Sequence, residues 1–308
     1  MSRCAVKIVL FVSTLLIGLG PVAAAPGPAF GPLVTDPPPK RTTRSNHYVV
    51  SNEDRHDLFR AAITDLGGVM VGVGADQLYL MAGWVKPQVL VPMDFDQYVV
   101  DLHGIYRIAF LNAKTPTDFI AFFKPANKGK LDALIQKAIS DPVLAARYIK
   151  VLNFSRKTIT WRLRRVVKHY TRLKIPIFLT SQPVYDFIVS LHREGRVHPV
   201  RGDLTKDKTM ASIAAAARKA NLPIRVLYLS NAEQYFTFKA QYRKNILGLP
   251  FDAKSVAIRT FPISKTSYRY YIQPGSMFHQ WMRSYAINNV RYMVQYRTAI
   301  PNTKGRAY

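Results

Sequence analysis

Short apolar runs alternate along this chain with longer stretches of helical period, and that alternation restricts the fold to an α/β sheet with helices packed on it. Asp54 to Asp65 reads as a helix with Leu58, Ala61, Ala62 and Leu66 on one face, ended by Gly67-Gly68. Val69-Met70-Val71-Gly72-Val73-Gly74 then reads as a buried strand running into a glycine turn, and Val89 to Met93 as a second strand ending on Asp94. Leu102 to Asn112 reads as a helix, and residues 115–195 are mostly helical, an insertion between strands. Strand patterns return at Val197 to Val200, Ile224 to Leu229 and Val256 to Thr260, with an alanine-rich helix over Lys208 to Ala220. Tyr268 to Ile272 and Met277 to Met282 flank Pro274-Gly275, a turn signal that predicts a C-terminal β-hairpin. The expected fold is a doubly wound α/β sheet over residues 46–308, with no internal repeat.

The chain ahead of this domain carries different signals. Arg3 and Lys7 precede an uncharged, largely apolar run from Ile8 to Leu19, and Gly20-Pro21 and Val22-Ala23-Ala24 follow. This is the pattern of a cleavable secretory signal over residues 1–24, since a spanning helix needs about 20 apolar residues. The expected location is therefore outside the cytoplasm, periplasmic or secreted, with cleavage near Ala24. The single cysteine, Cys4, lies inside that segment, so the mature chain has no thiol for a disulfide, a nucleophile or a metal. Pro26 to Pro39 holds six prolines and Lys40-Arg41-Thr42-Thr43-Arg44-Ser45 follows, which reads as a linker over residues 25–45.

Charge speaks to partners. The formal net charge is +26, an excess that favours anionic envelope polymers, anionic lipid surfaces or nucleic acid, or only solubility. From Pro142 to Arg172 there are nine Lys or Arg and no acid. Ile159, Leu163, Val166, Val167 and Tyr170 recur there at helical spacing, with Arg156, Arg162, Arg164, Arg165 and Lys168 expected mainly on the other face, either as a solvated back or as a membrane-surface face. After Asp252 the section 253–308 has nine Lys or Arg, no acid and seven tyrosines, a pattern of phosphate grip and stacking or of basic edge strands alone.

In an open α/β sheet ligands bind where the carboxyl ends of the strands meet the loops. Gly72 and Gly74 are placed there to let a ligand approach the backbone, and Asp94, 22 residues after Gly72, to hold a ribose hydroxyl pair. Gly202 and Asp203 follow a third strand; Ser230, Asn231, Glu233, Gln234 and Tyr235 follow a fourth. The dinucleotide pattern is incomplete, because its third glycine position is Gln77. No Gly-x-Ser-x-Gly elbow or Walker loop occurs, and His192 and His198 have no standard metal spacing, so no metal site is expected.

Tyr48-Val49-Val50-Ser51-Asn52-Glu53, Gly72-Val73-Gly74-Ala75-Asp76-Gln77, Gly202-Asp203-Leu204 and Leu227 to Tyr235 together resemble the signature of an uncharacterised bacterial family. That family is similar in fold to S-adenosylmethionine-dependent methyltransferases, whose Rossmann-like sheets also carry a terminal hairpin. The resemblance implies that Asp76 and Gln77 join Gly72, Gly74, Asp94, Gly202 and Asp203 at a cofactor site. It also implies that Ser51, Asn52, Ser230, Asn231 and Gln234 line a pocket, with Glu233, Tyr235 and Glu53 nearest the chemistry. Glu233 or Glu53 would act as general base if burial raised its pKa toward neutrality. Two functions fit: an exported protein binding a small or anionic ligand, or an S-adenosylmethionine-dependent transferase acting on a nucleoside-like or other small molecule. Ser51 and Asn52 have a second reading as caps of the helix near Asp54, Asn231 as a cap after its strand, and Tyr235 as core.

Overall fold

The computed structural model describes residues 29–39, 47–264 and 268–295. The expected signal segment lies outside the described residues. Six strands form one mixed sheet: β1 (Val69–Val73), β2 (Val89–Asp94), β3 (Val200–Arg201), β4 (Ile224–Tyr228), β5 (Val256–Pro262) and β6 (Tyr268–Pro274). Their order is β3-β2-β1-β4-β5-β6, with the first five parallel and β6 antiparallel to β5. The order reverses between β1 and β4, so the crevice at their carboxyl ends is the switch point of the sheet.

Both faces of the sheet are covered, and strand alternation divides the side chains between them. Met70, Leu90, Val226, Tyr228 and Ile258 point to one side, and Val69, Val71, Val89, Val91, Leu227 and Ala257 to the other. The first side takes α1 (Arg60–Ile63), α2 (Gln77–Val85) and α3 (Gln97–Asn112), then α4 (Pro116–Phe122), α5 (Lys128–Ala138), α6 (Pro142–Arg172) and α7 (Gln182–Arg193). The second takes α8 (Thr209–Lys219), α9 (Ala240–Leu247), α10 (Gly275–Arg283) and α11 (Val290–Gln295). The helical insertion is thus α4 to α7.

The helix starts are chemically marked. Asp96 accepts from the Tyr98 amide at the head of α3, and Thr115 with Asp118 forms a reciprocal capping box on α4. Asp141 accepts from the Val143 and Leu144 amides, with Pro142 at the first position, and so launches the 31-residue α6. Among the described residues no helix is long and apolar enough to cross a membrane.

Four expectations are corrected. Pro274-Gly275 opens α10 instead of turning a hairpin; the hairpin stands one element earlier, pairing Val256–Pro262 with Tyr268–Pro274. A Cβ on Gly275 would meet Phe251 and Ser255 at 2.8 and 2.9 Å, so glycine is required there for close packing. The helix expected from Asp54 is only a 3-10 turn over His56–Phe59 followed by the four residues of α1. Arg156 and Arg162 are not on the solvent side of α6: both are buried, paired with Asp132 and with Asp76 and Asp54.

The fourth correction concerns the proline-rich linker. Residues 29–39 lie against the fold, with Phe30 in the core beside α8. Asp36 is 1% exposed. Its carboxylate accepts from the amides of Asp203, Lys208 and Thr209, and its own amide donates to Thr209 Oγ1 at 2.8 Å. A carboxylate placed on the orphan amides and positive dipole of the α8 N-terminus outweighs the solvation preference of the prolines around it.

Candidate functional site

The carboxyl edge of the sheet contains two sets of candidate residues, and the structure separates them. The first set surrounds the switch point. Here residues Ser51 to Glu53 lie across the ends of β1 and β4 and bind both. The Ser51 amide donates to Asp76 Oδ1 at 3.0 Å, beyond β1. Glu53, fully buried, accepts from Ser230 Oγ at 2.6 Å and Thr260 Oγ1 at 2.5 Å, and from the Tyr228 hydroxyl. His56 Nε2 lies 3.2 Å from the same carboxylate. Burial alone would push this carboxyl up, but the His56 contact and the Ser230 and Thr260 hydroxyls outweigh it and hold the group below the usual glutamate range. The condition for a general base, a raised pKa, is therefore not met at Glu53. Burial and the neighbouring Glu53 charge push the Tyr228 hydroxyl well up.

The glycine loop is closed by its own residues. Gly74 has φ +111°, a conformation that favours glycine whatever lies nearby. Gln77 folds back so that its Oε1 accepts from the Ala75 amide at 3.0 Å and its Nε2 donates to the Val73 carbonyl at 3.2 Å. His103 Nε2 is 2.9 Å from the Gly74 carbonyl, and the Tyr79 hydroxyl is 2.9 Å from His103 Nδ1. Burial lowers the His103 pKa to about 4, so the ring stays neutral and serves as a fixed hydrogen-bonding spacer. Asp76 Oδ2 accepts from Arg162 Nε at 2.9 Å, and Arg162 continues to Asp54 Oδ1 at 3.0 Å. A Cβ on Gly72 would press on the Leu78 Cδ2 methyl and touch Tyr228, so the glycine gives Leu78 its room.

Asp94 and the Gly202-Asp203 turn complete this half. Burial, aided by the Asp96 charge, pushes the Asp94 carboxyl up to about 7 against the pull of the Asp96 and Phe95 amides. Its Oδ1 accepts from the Asp96 amide at 2.9 Å. Asp203 Oδ1 accepts from the Thr205 amide and hydroxyl at 2.8 and 2.7 Å, while the Asp203 amide goes to Asp36. A Cβ on Gly202 would meet Thr209 Cγ2 at 2.6 Å and Met93 Sδ at 2.8 Å. Of the expected cofactor residues, Asp76, Gln77 and Asp203 are thus engaged with the chain itself. The set does not fit S-adenosylmethionine, since a cofactor in the loop would have to displace Gln77 and Asp76 from their bonds.

The second set faces an open cavity of about 870 Å³ on the other side of the edge. Glu233, Gln234 and Tyr235 supply one wall, Lys239, Gln241 and Tyr242 at the start of α9 another, and Thr205 and Lys206 a third. Phe261 and the segment Asn289 to Arg291 close it. The three cations, Lys206, Lys239 and Arg291, are exposed, and Tyr235 is 58% exposed, so it is a platform and not core. Glu233 is the one acid in the lining. It is 1% exposed and held by Arg259 Nε at 2.5 Å and the Tyr242 hydroxyl at 2.6 Å, so its charge is neutralised from behind. The two motif clusters meet at Glu53, through Ser230 and Tyr228; Asn52 turns outward to the Tyr268 hydroxyl, and Asn231 makes no side-chain cap.

Sequence reasoning missed Lys206, Lys239 and Arg291 as neighbours, because they come from three separate segments and carry no motif. It also missed Arg162, Tyr228, His56 and Thr260, which complete the buried cluster. Among the described residues no group of His, Cys, Asp or Glu could hold a metal ion.

The chain belongs to the family described as Domain of unknown function (DUF7790), whose model matches residues 48–306. No curated protein matches it.

Proposed function

From membership of that family as a premise, we propose that the protein is an exported binding protein for a small anionic ligand carrying a flat ring. The ligand sits in the cavity between Lys206, Tyr235, Lys239 and Arg291. One observation carries this reading: three exposed cations surround an open cavity whose single acid is already paired with Arg259. Such a cavity focuses positive potential on whatever enters it, and Tyr235 adds a face for stacking. The sheet order, with its reversal between β1 and β4 and its antiparallel last strand, supports a doubly wound, Rossmann-like fold of the methyltransferase type. A fold does not carry its usual chemistry with it. The self-filled glycine loop supports a protein that has kept the sheet of a methyltransferase without its cofactor. The charged and apolar pattern of residues 1–24 supports export, which removes the chain from the compartment where S-adenosylmethionine is made.

Calorimetric titration tests this with uridine diphosphate as the probe, beside uridine, inorganic pyrophosphate, S-adenosylmethionine and S-adenosylhomocysteine. The expected result is binding of uridine diphosphate that weakens about tenfold or more in Lys206→Ala/Lys239→Ala, with no binding of the two adenosyl compounds. Charged hydrogen bonds of roughly 1.5–3 kcal/mol set that scale. Micromolar S-adenosylmethionine binding lost in Asp94→Ala would overturn the reading and restore the transferase. Failure of both uridine diphosphate and pyrophosphate to bind would also overturn it.

A further inference from the structure

Helix α6 has a second surface, far from the cavity residues in sequence and independent of them. Its inner face is core: Val151, Leu152, Ile159, Leu163, Val166 and Tyr170 are buried. Its outer face places large apolar side chains in water. Val143 is 73% exposed, Phe154 55% and Trp161 54%. Lys150, Lys157, Arg164 and Lys168 are exposed as well. These seven positions follow one another at spacings of three, four or seven residues, which keeps them on one side of an α-helix. At 1.5 Å per residue the stripe runs about 38 Å.

The apolar residues form one line, and at 100° per residue Lys150, Lys157, Arg164 and Lys168 all fall along one side of it. Phe154 stands edge-on to His47 and Tyr98, at centroid distances of 5.4 and 5.8 Å, which supports one side of its ring while the other faces out. The Arg165 guanidinium lies 5.0 Å from the Trp161 ring and pairs with Asp54, so it fixes the indole on the surface. Among the described residues the acids that pair with α6 are Asp54, Asp57, Asp76, Asp101 and Asp132; Asp54 engages Arg162 and Arg165, and the others engage His169, Arg162, Arg147 and Arg156 in turn. None of them neutralises the flanking Lys150, Lys157, Arg164 or Lys168.

We propose that this face of α6 docks in the plane of an anionic phospholipid bilayer, with Phe154 and Trp161 entering the headgroup region and the flanking cations meeting lipid phosphates. A soluble polyanion would use the cations and leave Val143, Phe154 and Trp161 in water. A neutral apolar partner would not favour the row of unpaired cations beside the apolar line. An aromatic line bordered by Lys and Arg matches an interface whose outer layer is anionic and whose next layer is hydrocarbon. The helix lies on the bilayer and does not span it, because its inner face packs on the domain.

Vesicle co-sedimentation tests the proposal with the full-length protein. Vesicles of phosphatidylcholine with about one third phosphatidylglycerol should bind the protein, and pure phosphatidylcholine vesicles should not. Phe154→Ser/Trp161→Ser and, separately, Lys150→Glu/Lys157→Glu/Lys168→Glu should each weaken binding by about tenfold or more; both sets lie on the surface, so thermal melting should report intact folding. Trp161 emission should shift to the blue on anionic vesicles, with Trp161→Phe removing the shift. Three results would overturn the proposal: no binding to anionic vesicles, equal binding to neutral ones, or anionic binding that the charge variant loses and the aromatic variant keeps. The last would identify a polyanion surface, which heparin binding would then register. Uridine diphosphate titration reads other residues, so failure here leaves the cavity reading standing.

Discussion

The two halves of the sheet's carboxyl edge use similar residue types to opposite ends. Over β1 and β4, Asp76, Gln77, Glu53 and Ser230 are satisfied by other parts of the chain, and Ser51 to Glu53 occupy the crevice. Beyond β4 and β5, Lys206, Tyr235, Lys239 and Arg291 surround open space. A polar residue at a strand end becomes a site only where its hydrogen bonds are left for a ligand. Burial of polar groups demands partners, and in the first half the protein supplies them internally for Asp76, Gln77, Glu53 and Ser230.

The sharpest way to break this contrast is Glu53→Ala. It removes the acceptor for three hydroxyls, those of Tyr228, Ser230 and Thr260, and leaves buried donors without partners, so a loss of about 3–5 kcal/mol is expected, read as a fall in the urea midpoint. A loss below about 1 kcal/mol would mean that Glu53 is not holding the segment across the crevice. The same carboxylate should give acid sensitivity. Its pKa is lowered by folding, so its contribution is fully present above the ordinary glutamate value of about 4.3 and is lost as pH falls through the folded value. The urea midpoint should therefore drop steeply below about pH 4 in the parent and less steeply in Glu53→Gln.

Arg162→Met should cost about 3 kcal/mol or more by leaving Asp76 buried without its cation. A double cycle with Asp76→Asn should show strong coupling, and additive losses would contradict a joint role in sealing the loop. Asp94→Asn works in the opposite direction. Because burial holds the carboxyl up at about 7, the folded state resists ionisation that the unfolded chain undergoes near pH 4. That penalty is absent at low pH and grows as pH rises toward the folded value, so Asp94→Asn should raise stability by about 2 kcal/mol at pH 8 and by nothing at pH 3. Equal effects at the two pH values would show that Asp94 is not charge-frustrated. Tyr235→Ala, at the exposed end of the comparison, should change stability by less than about 0.5 kcal/mol while weakening uridine diphosphate by at least about fivefold. Unchanged binding would remove Tyr235 from the ligand.

The sequence made the alternation of strands and helices legible because each strand carries its own local marks, Val69 to Val73 with Gly74 and Ile224 to Tyr228 with Asn221 and Pro223. The end of the chain misled because Pro-Gly is both a turn signal and a compact helix start, and only Phe251 and Ser255, packed on Gly275, decide between them. At the edge of the sheet the strand-end residues were identifiable, but not whether their hydrogen bonds were taken. Asp76 is occupied by Arg162, 86 residues away, and no local pattern announces that pairing. Arg162 itself read as a solvent-facing cation because helical periodicity assigns a side but not the buried acid that waits there. The proline run was read as free chain for the same reason: Asp36 finds its amides beyond residue 200.

The stitches that hold this protein together are long in sequence. Glu53 and Ser230 are 177 residues apart, and the Asp36 amide reaches Thr209 across 173. Bonds of this span cannot form until most of the chain is available, and closing such loops precedes the reward from the contacts they make. The insertion helices can gather locally beforehand, but the central pair β1 and β4 must wait for distant parts to meet. Completion of the sheet is therefore a late, all-at-once event, and until it occurs the unpaired edge of β1 is the stretch of backbone most exposed to wrong pairing.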